Sequence, residues 1–481
     1  MARHLHMALV AVMALVAMTA GEAAGQTYEV VPGQLAAECA VPSCAGVITV
    51  TGSVDASDLA YLAATIEELH TLDLSGVTVA AYKGPRVGAN VYSAPADVLP
   101  PYILAGLRAA HVRLPASITA IGEGALMDSR IEEVVIPQGV TRVGADAFAQ
   151  CRRLTRAELS EGMATVEART FEGCGMLAEV SLPGSLSAIG DRAFLGCRSL
   201  GEIAMPESLT CIGHEAFALS GLERVSLDGC GRLASVGERA FASCARLVSA
   251  TLPSGAAELG EGVFFDCESL ADVRLPSEAV SVPALALKGA VSLASVNLPD
   301  GVSEIGVLAM AGMTAVETVA LPASLTHIGD GAFEGWSGVR EIDALRLETV
   351  PSLGDEVWAG VEQPAVTLNV LPELEEAFLA APQWQAFSIS RSSITLLPST
   401  SGAAGHVEAG FMGMTLRVSS DIELESVTLY GVDGRVLETA VHIRVDSVSL
   451  DTSRHAGAFF IVRAVTRDGG RGVTFKLMRQ P

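Results

Sequence analysis

The fold is decided by a short motif that first appears in full at residues 146–151, Asp-Ala-Phe-Ala-Gln-Cys. Its aromatic position recurs along the chain, with Leu, Met or Trp replacing Phe in some copies. The twelve copies place this residue at Leu104, Leu126, Phe148, Phe171, Phe194, Phe217, Phe241, Phe264, Leu287, Met310, Phe333 and Trp358. Successive copies are 22 to 25 residues apart, and 23 is the commonest interval. Such a period is typical of stacked repeats.

Two further markers keep the same register in most copies. An apolar residue followed by Pro closes a short alternating stretch, as in Leu270-x-x-Val273-x-Leu275-Pro276. The alternation predicts a strand with one face inward, and the Pro ends the strand because it cannot donate a ladder hydrogen bond. A pair such as Val143-Gly144 precedes the aromatic position, and we expect its glycine to take a positive φ at a tight corner. One unit cannot bury its own apolar face, so stacked copies predict a solenoid.

The whole unit, Leu-x-x-Val-x-Leu-Pro-x-x-Val-x-x-Ile-Gly-x-x-Ala-Phe-x-x-Cys, resembles the BspA-type leucine-rich repeat of bacterial surface proteins. The resemblance covers about Leu99 to Gly360. It implies a leucine-rich repeat solenoid of 23-residue repeats, with short parallel strands and irregular turns. It also implies a secreted or cell-surface binding protein, without naming a ligand. Between Leu285 and Met310 the Phe and Cys positions are substituted, so we expect looser coils that still stack.

The first 25 residues have the order of a secretory signal peptide. Arg3 precedes the apolar run Met7–Ala20, and small residues follow as far as Gly25. The run is short for a membrane span of about 20 residues, although an uncleaved anchor is the alternative. After removal of the signal peptide, the sequence contains no further candidate transmembrane segment.

The remaining chain divides by composition and by the limits of the repeat. We assign 1–25 to the signal peptide, 26–98 to an N-terminal cap with a first repeat-like unit, 99–362 to the solenoid, 363–397 to a C-terminal cap, 398–405 to a linker and 406–481 to a C-terminal domain. In the first cap, Ser57 is the expected N-cap of a short helix. In the second, Val366–Val370 is the expected final strand, and Trp384 and Phe387 are expected to cover the last coil.

Residues 406–481 lose the 23-residue repeat and show alternating strands instead. The predicted strands are Thr415–Val418, Ser426–Tyr430, Ser447–Leu450, Phe459–Ala464 and Val473–Leu477. Asp433-Gly434 between apolar runs is a hairpin signal. Together these features predict a small antiparallel β-sandwich.

This segment is also similar to the C-terminal sorting domain of type IX secretion cargo. The residues that carry the similarity are Asp433, Gly434, Arg435, Gly457, Phe459 and Lys476, with Phe459 where the family has Tyr. The similarity implies a Gram-negative bacterium, passage through the secretion machinery, attachment at the cell surface and removal of the domain. A generic β-sandwich module is the alternative.

Composition restricts the function further. Half of the 481 residues are hydrophobic and 18% are charged, which excludes an intrinsically disordered chain. The formal charge of −24 argues against nucleic acid as a partner, because phosphates require a basic face. Residues 406–481 contain nine basic and nine acidic side chains, so the net charge belongs to residues 26–405.

The sequence contains no recognisable catalytic constellation. The nine histidines form no His-x-x-x-His pair, and neither a nucleophile elbow nor a P-loop is present. We therefore predict no catalytic residue, no cofactor and no metal site. The alternatives are an exported enzyme with an unrecognised site in the cap or solenoid, or a passive structural protein of a surface layer.

The nine cysteines fall into three groups. Five share one repeat position and predict an inward column of free thiols: Cys151, Cys174, Cys197, Cys244 and Cys267. Cys39 and Cys44 flank a short turn and are a candidate disulfide in an exported chain. Cys211 and Cys230 fit neither group.

The outward strand positions are the candidate binding surface for a protein or glycan at the cell surface. Their charged members form a possible binding ladder: Glu133, Arg156, Glu179, Glu202, Arg224, Asp272 and Arg274. Opposite charges follow one another along this ladder, so simple charge pairing is the alternative interpretation. No aromatic anchor occurs in it.

Overall fold

The computed structural model describes residues 25–38, 46–88, 90–253 and 258–391, together with seven strand segments between 407 and 478. The chain divides into two compact units, Met1–Leu222 and Glu223–Pro481. In both units the repeat forms coils of a β-solenoid. Most coils contribute a main strand, which precedes the Pro position, and each of the twelve repeats contributes a two-residue corner strand before the position of the recurring glycine.

In the first unit the main strands form one parallel sheet of seven strands. In order these are Gln26–Val30, Val47–Val54, Leu69–Val79, Ala109–Arg113, Glu133–Val135, Arg156–Glu158 and Glu179–Ser181. The corner strands are Val98–Leu99, Ala120–Ile121, Arg142–Val143, Thr165–Val166, Ala188–Ile189 and Cys211–Ile212. The predicted cap thus supplies the first three main strands and continues the sheet of the coils.

The cap also carries two helices, Leu35–Glu38 and Ala56–Thr65, and a hairpin of Tyr82–Val87 with Val91–Ala94. The prediction of Ser57 as N-cap is wrong by two residues, because Asp55 caps the second helix through the backbone N–H groups of Ser57 and Asp58. The buried Asp58 carboxylate accepts from the backbone N–H groups of Gly33, Leu35 and Asp55 at 2.8–3.0 Å. A buried charge with three donors is compensated, and it ties the helices together.

The aromatic repeat position forms a stacked column inside the first unit. Phe148, Phe171, Phe194 and Phe217 are fully buried, with ring centroids 5.1–5.4 Å apart and near-parallel planes. Backbone hydrogen bonds join neighbouring coils beside this column. The Phe194 N–H, for example, donates to Ala216 O at 2.8 Å. The one-coil period of the sequence therefore sets the period of the core.

The glycines that recur before the aromatic position were predicted to take a positive φ, and the structure gives them a different role. Gly144 does not have a positive φ; a Cβ added there would lie 2.6 Å from the backbone nitrogen of Glu123 in the preceding coil. Positive φ values occur two residues before each aromatic position, as at Asp146 and Arg169, and again two residues after it, as at Gln150 and Gly173. The glycine is required because two backbones approach closely, so the predicted turn conformation was wrong.

The second unit repeats this pattern. Its main strands are Arg224–Ser226, Ser249–Thr251 and Asp272–Arg274 in one parallel sheet, and Thr318–Ala320, Glu341–Asp343, Thr367–Val370 and Ser388–Arg391 in another. Its corner strands are Ser235–Val236, Glu258–Leu259, Ser281–Val282, Glu304–Ile305, His327–Ile328 and Ser352–Leu353.

The C-terminal cap contains the helix Glu375–Ala380 and the 3₁₀ turns Gln363–Ala365 and Trp384–Ala386. Trp384 is fully buried, and its ring lies 5.5 Å from Trp358 and 5.3 Å from Phe378. Phe387 meets Trp358 edge-on at 5.0 Å, so both aromatics cover the last coil as predicted. The predicted final strand is followed by one more, because Ser388–Arg391 pairs in parallel with Thr367–Val370.

The C-terminal residues form two antiparallel sheets. The strands Val407–Met412, Thr415–Ser420 and Ser447–Asp451 make one, and Leu424–Gly431, Val436–Val441, Phe459–Thr466 and Gly472–Met478 make the other. All five predicted strands are present, and sequence reasoning missed Val407–Met412 and Val436–Val441. Apolar side chains of both sheets are buried, including Leu416, Val427 and Leu450.

Candidate binding surface

Three members of the predicted ladder lie on consecutive main strands of the first unit. The register places Arg156 opposite Glu133 on one side and opposite Glu179 on the other. Arg156 Nε is 3.7 Å from Glu179 Oε2, and Arg156 Nη2 is 3.6 Å from Glu158 Oε2. Arg156 therefore pairs with Glu179 and Glu158, and exposed ion pairs of this kind each contribute less than about 1 kcal/mol to stability.

In the second unit, Arg224, Asp272 and Arg274 are exposed on a single three-stranded sheet. The strand Ser249–Thr251 lies between the other two, so Ser249 separates Arg224 from Asp272 along the column. The ladder in this unit is therefore a sparse set of charges rather than a continuous charged row.

Glu202 does not occupy the position that the repeat predicts for it. Residues 201–206 form no strand, and the main sheet of the first unit ends at Glu179–Ser181. A shallow groove of about 460 Å³ separates the two segments, with Glu179 and Glu202 among its lining residues. Val180 and Ile203, whose equivalents are buried in most other coils, are half-buried here. The ladder is thus interrupted by an opening between coils.

The five repeat-position cysteines are buried free thiols, as predicted. Four of them also donate a hydrogen bond to the carbonyl at the aromatic position of the preceding coil. Cys151, Cys174, Cys197 and Cys267 do so at 3.1–3.3 Å. Trp336 occupies the same repeat position, and its indole N–H donates to Met310 O at 2.6 Å. In these five coils the position supplies a donor and not only an apolar side chain, which sequence reasoning missed.

Three of these thiols are poorly ionisable. Burial raises the pKa of the Cys174 and Cys197 thiols well above the ordinary value. Contact with Cys244, and then burial, raises the pKa of Cys267 in the same direction. A thiolate is the reactive form of cysteine, so these three side chains are inert in the folded chain. Cys151 differs, because the hydrogen bond from Cys174 lowers the pKa of its thiol.

Several predicted residues lie outside the described part of the chain. These are Cys39 and Cys44 of the candidate disulfide, and Asp433, Gly434, Arg435 and Gly457 of the sorting motif. Phe459 and Lys476 lie on paired antiparallel strands, where Ile461 is the register partner of Lys476. The strands on either side of Asp433-Gly434 pair as a hairpin, with Tyr430 opposite Val436.

The described residues contain no group of three or more His, Cys, Asp or Glu side chains placed to hold a metal ion. None of the helices in the same residues is long and apolar enough to cross a membrane.

Sequence reasoning also missed a column of arginines. Arg108, Arg130 and Arg153 each lie three residues before one of three strand residues that are in register, namely His111, Glu133 and Arg156. All three are exposed and line a second shallow groove of about 350 Å³. The constant offset from the ladder is the signal that reveals this column in the sequence.

Comparison with known proteins supports the repeat and the fold. Residues 119–245 and 231–340 match the family described as BspA type leucine rich repeat region, in six copies. No curated protein is similar enough to this chain to count as a match.

Solved structures similar to the chain include a leucine-rich repeat protein from Bacteroides ovatus ATCC 8483, with 22% identity, 76% of this chain and 92% of that chain covered, and a TM-score of 0.55. A leucine rich cell surface protein from Faecalibacterium prausnitzii A2-165 has 24% identity, with 57% of this chain and 88% of that chain covered and a TM-score of 0.32. The pneumococcal vaccine antigen PcpA has 14% identity, with 78% of this chain and 85% of that chain covered and a TM-score of 0.39. The first likeness shows the fold, a leucine-rich repeat solenoid.

Proposed function

We propose that this chain is a secreted or cell-surface leucine-rich repeat protein that binds other macromolecules without catalysis. The observation that carries the proposal is the stacking of parallel strands, which repeats outward side chains at one-coil intervals. Solenoids use such extended surfaces for binding. The matched repeat family supports the same class.

A pull-down tests the binding role. The chain from residue 26 onward is the bait, and extracts of host matrix and of bacterial surfaces are the sources of partners. We expect saturable capture of a protein or glycan. Absence of any saturable ligand would favour a passive surface layer instead.

Export is the second part of the proposal. The signal-peptide order of residues 1–25 and the similarity of residues 406–481 to a sorting domain support it. Cell fractionation should recover the chain outside the cytoplasm, and deletion of 406–481 should retain it in the periplasm. Recovery from the cytoplasm alone would refute the surface location.

The non-catalytic part is tested separately. The purified chain is screened for hydrolysis of glycans and peptides, and we expect no turnover above the buffer rate. Turnover that a single point substitution abolishes would establish the enzyme alternative.

A further inference from the structure

The arginine groove of the first unit carries three guanidinium groups that have few carboxylate partners among the described residues. Arg108 and Arg130 make no ion pair within the described residues, and Arg153 Nη1 reaches Glu132 Oε1 only at 3.9 Å. Glu68 and the exposed His70 complete the charged and polar lining. The groove therefore holds three guanidinium groups and few opposing charges.

The backbone fixes these arginines on neighbouring coils. The Leu69 N–H donates to Arg108 O at 3.0 Å, and the Arg130 N–H donates to Leu107 O at 2.8 Å. Adjacent coils in such a stack are about 4.8 Å apart, so the three side chains emerge within about 10 Å of one another. Their proximity is built into the fold and does not depend on a mobile loop.

Elsewhere in this unit, arginines on one coil meet carboxylates on the next. Arg169 is 2.7 Å from Asp146, and Arg192 is 2.7 Å from Glu215. Like charges facing each other across neighbouring strands are destabilising. Arg108 and Arg130 lie on neighbouring coils without such a pair in the described residues, and the Arg153–Glu132 pair is longer, at 3.9 Å, which points to a charge supplied from outside the chain.

The dimensions restrict the ligand. A groove of about 350 Å³ is at the lower end of the volumes that hold small molecules, so it fits one or two ring-sized groups. The net charge of −24 repels a long polyanion but admits a single acidic group. An extended peptide presents same-face side chains about 6.8 Å apart, which does not match the one-coil spacing of the arginines.

We propose that the groove between Arg108, Arg130 and Arg153 binds an acidic sugar residue of a glycan through its carboxylate or sulfate. Guanidinium groups hold such oxyanions in bidentate geometry, and Arg130 lies between the other two. Leu69 and Ala110 supply apolar surface beside the charges. This inference rests on the proposed binding function and names its ligand class.

Calorimetric titration of the chain from residue 26 onward tests the site. The probes are glucuronate, glucose 6-sulfate, neutral glucose, inorganic sulfate and tetraglutamate. We expect at least one acidic sugar to bind about tenfold or more tightly than glucose, and the better of the two acidic sugars identifies the anion. The double variant Arg108→Gln/Arg130→Gln should lose about tenfold or more of that affinity.

Arg142→Gln is the matched control, since Arg142 is exposed on a corner strand of the same unit and does not line the groove. Its affinity should equal that of the parent. Arg130→Lys keeps the charge and should bind more weakly than the parent but more strongly than the double variant. Circular dichroism checks that each variant is folded.

Equal binding of glucose and the acidic sugars, or full affinity in the double variant, overturns the proposal. Inorganic sulfate or tetraglutamate binding as tightly as the acidic sugars also overturns it, because the sugar would then contribute nothing. These outcomes are independent of cell fractionation, so failure of the groove and failure of the surface location are distinguishable.

Discussion

The coils around Phe194 in the first unit and around Leu287 in the second place different side chains on one backbone pattern. Phe194 stacks between two parallel rings, whereas Leu287 and Met310 are aliphatic; all three are fully buried. The backbone hydrogen bond to the next coil has nearly the same length in both places. It is 2.8 Å from Phe194 N to Ala216 O and 2.7 Å from Leu287 N to Ala309 O. The coils between Leu285 and Met310 therefore stack, as predicted. At this turn they are not looser than the coils with Phe, contrary to the prediction.

The comparison also locates where coils do separate. Residues 201–206 of the first unit form no strand, although the coil contains Phe194 and Phe217 on either side. Residues 294–298 of the second unit also form no strand, beside Leu287 and Met310. Loss of the main strand thus occurs with and without aromatic neighbours, so the aromatic column does not determine the continuity of the main sheet.

The largest expected effect comes from emptying the aromatic position. Phe194→Ala should lower the free energy of unfolding by about 3–5 kcal/mol, because it removes a buried ring and leaves a cavity. Leu287→Ala should cost about 2–4 kcal/mol, since fewer atoms are removed. Denaturant titration of both variants measures the difference, and a larger loss for Leu287→Ala would contradict our account of the column.

The next effect concerns the close approach of neighbouring coils. Gly144→Ala places a Cβ 2.6 Å from a backbone nitrogen, so the coil must shift, at a cost of about 1–3 kcal/mol. Gly184→Ala is the control, because a Cβ there meets nothing within 4 Å. Its unfolding midpoint should remain near that of the parent. Equal losses of stability in the two variants would show that backbone flexibility, and not the close approach of two backbones, requires glycine at these positions.

The donor at the cysteine position should have a smaller effect. Trp336→Phe removes the indole N–H that reaches Met310 O and should cost about 0.5–1.5 kcal/mol beyond the change in packing. Phe333→Leu changes the volume of the neighbouring ring without touching this bond, and it provides the packing reference. A Trp336→Phe variant that matches the parent in thermal unfolding would remove the donor role.

The thiol column predicts a dependence on high pH. Burial raises the pKa of the Cys197 thiol above the unfolded value of about 9.0. The contribution of this thiol to the free energy of unfolding is therefore complete below pH 9 and declines as the pH rises further. By pH 10 the loss should be about 1 kcal/mol for this thiol. Cys197→Ala should have a flatter profile between pH 8 and 10. Parallel profiles for the two proteins would contradict the prediction.

The smallest effect is expected on the outward ladder. Arg156→Gln removes exposed contacts of 3.6 and 3.7 Å and should change the stability by less than about 0.5 kcal/mol. The contrast with Phe194→Ala separates positions that specify the fold from positions available for binding. A loss above 1 kcal/mol would place Arg156 among the structural residues.

The inward part of the coil was predictable from the sequence because stacking repeats the same physical demand every 23 residues. Phe148, Cys151 and Leu275 are buried where the period placed them. The role of Gly144 was not predictable, since a close approach between coils depends on coordinates and a positive φ explains the same residue equally well. Glu202 was misplaced because the repeat does not record the opening beside it.

The candidate site was less predictable for a similar reason. Outward residues do not have to repeat, so the register gave their positions but not their partners. Arg156 was correctly placed between two carboxylates. Arg108 and Arg130 were missed because the lack of an ion pair among the described residues becomes visible only when the neighbouring coils are assembled.

The column of buried thiols also makes the order of unfolding measurable. Seven cysteines in the described residues are free, and six of them are buried; Cys230 and Cys244 share a coil, and the other four lie in separate coils. A thiol becomes accessible to an alkylating reagent only when its own coil opens, so each modified peptide reports the opening of one coil. Mass spectrometry after timed exposure would thus rank the coils by the rate of local opening. The chain contains its own footprinting labels, without any substitution.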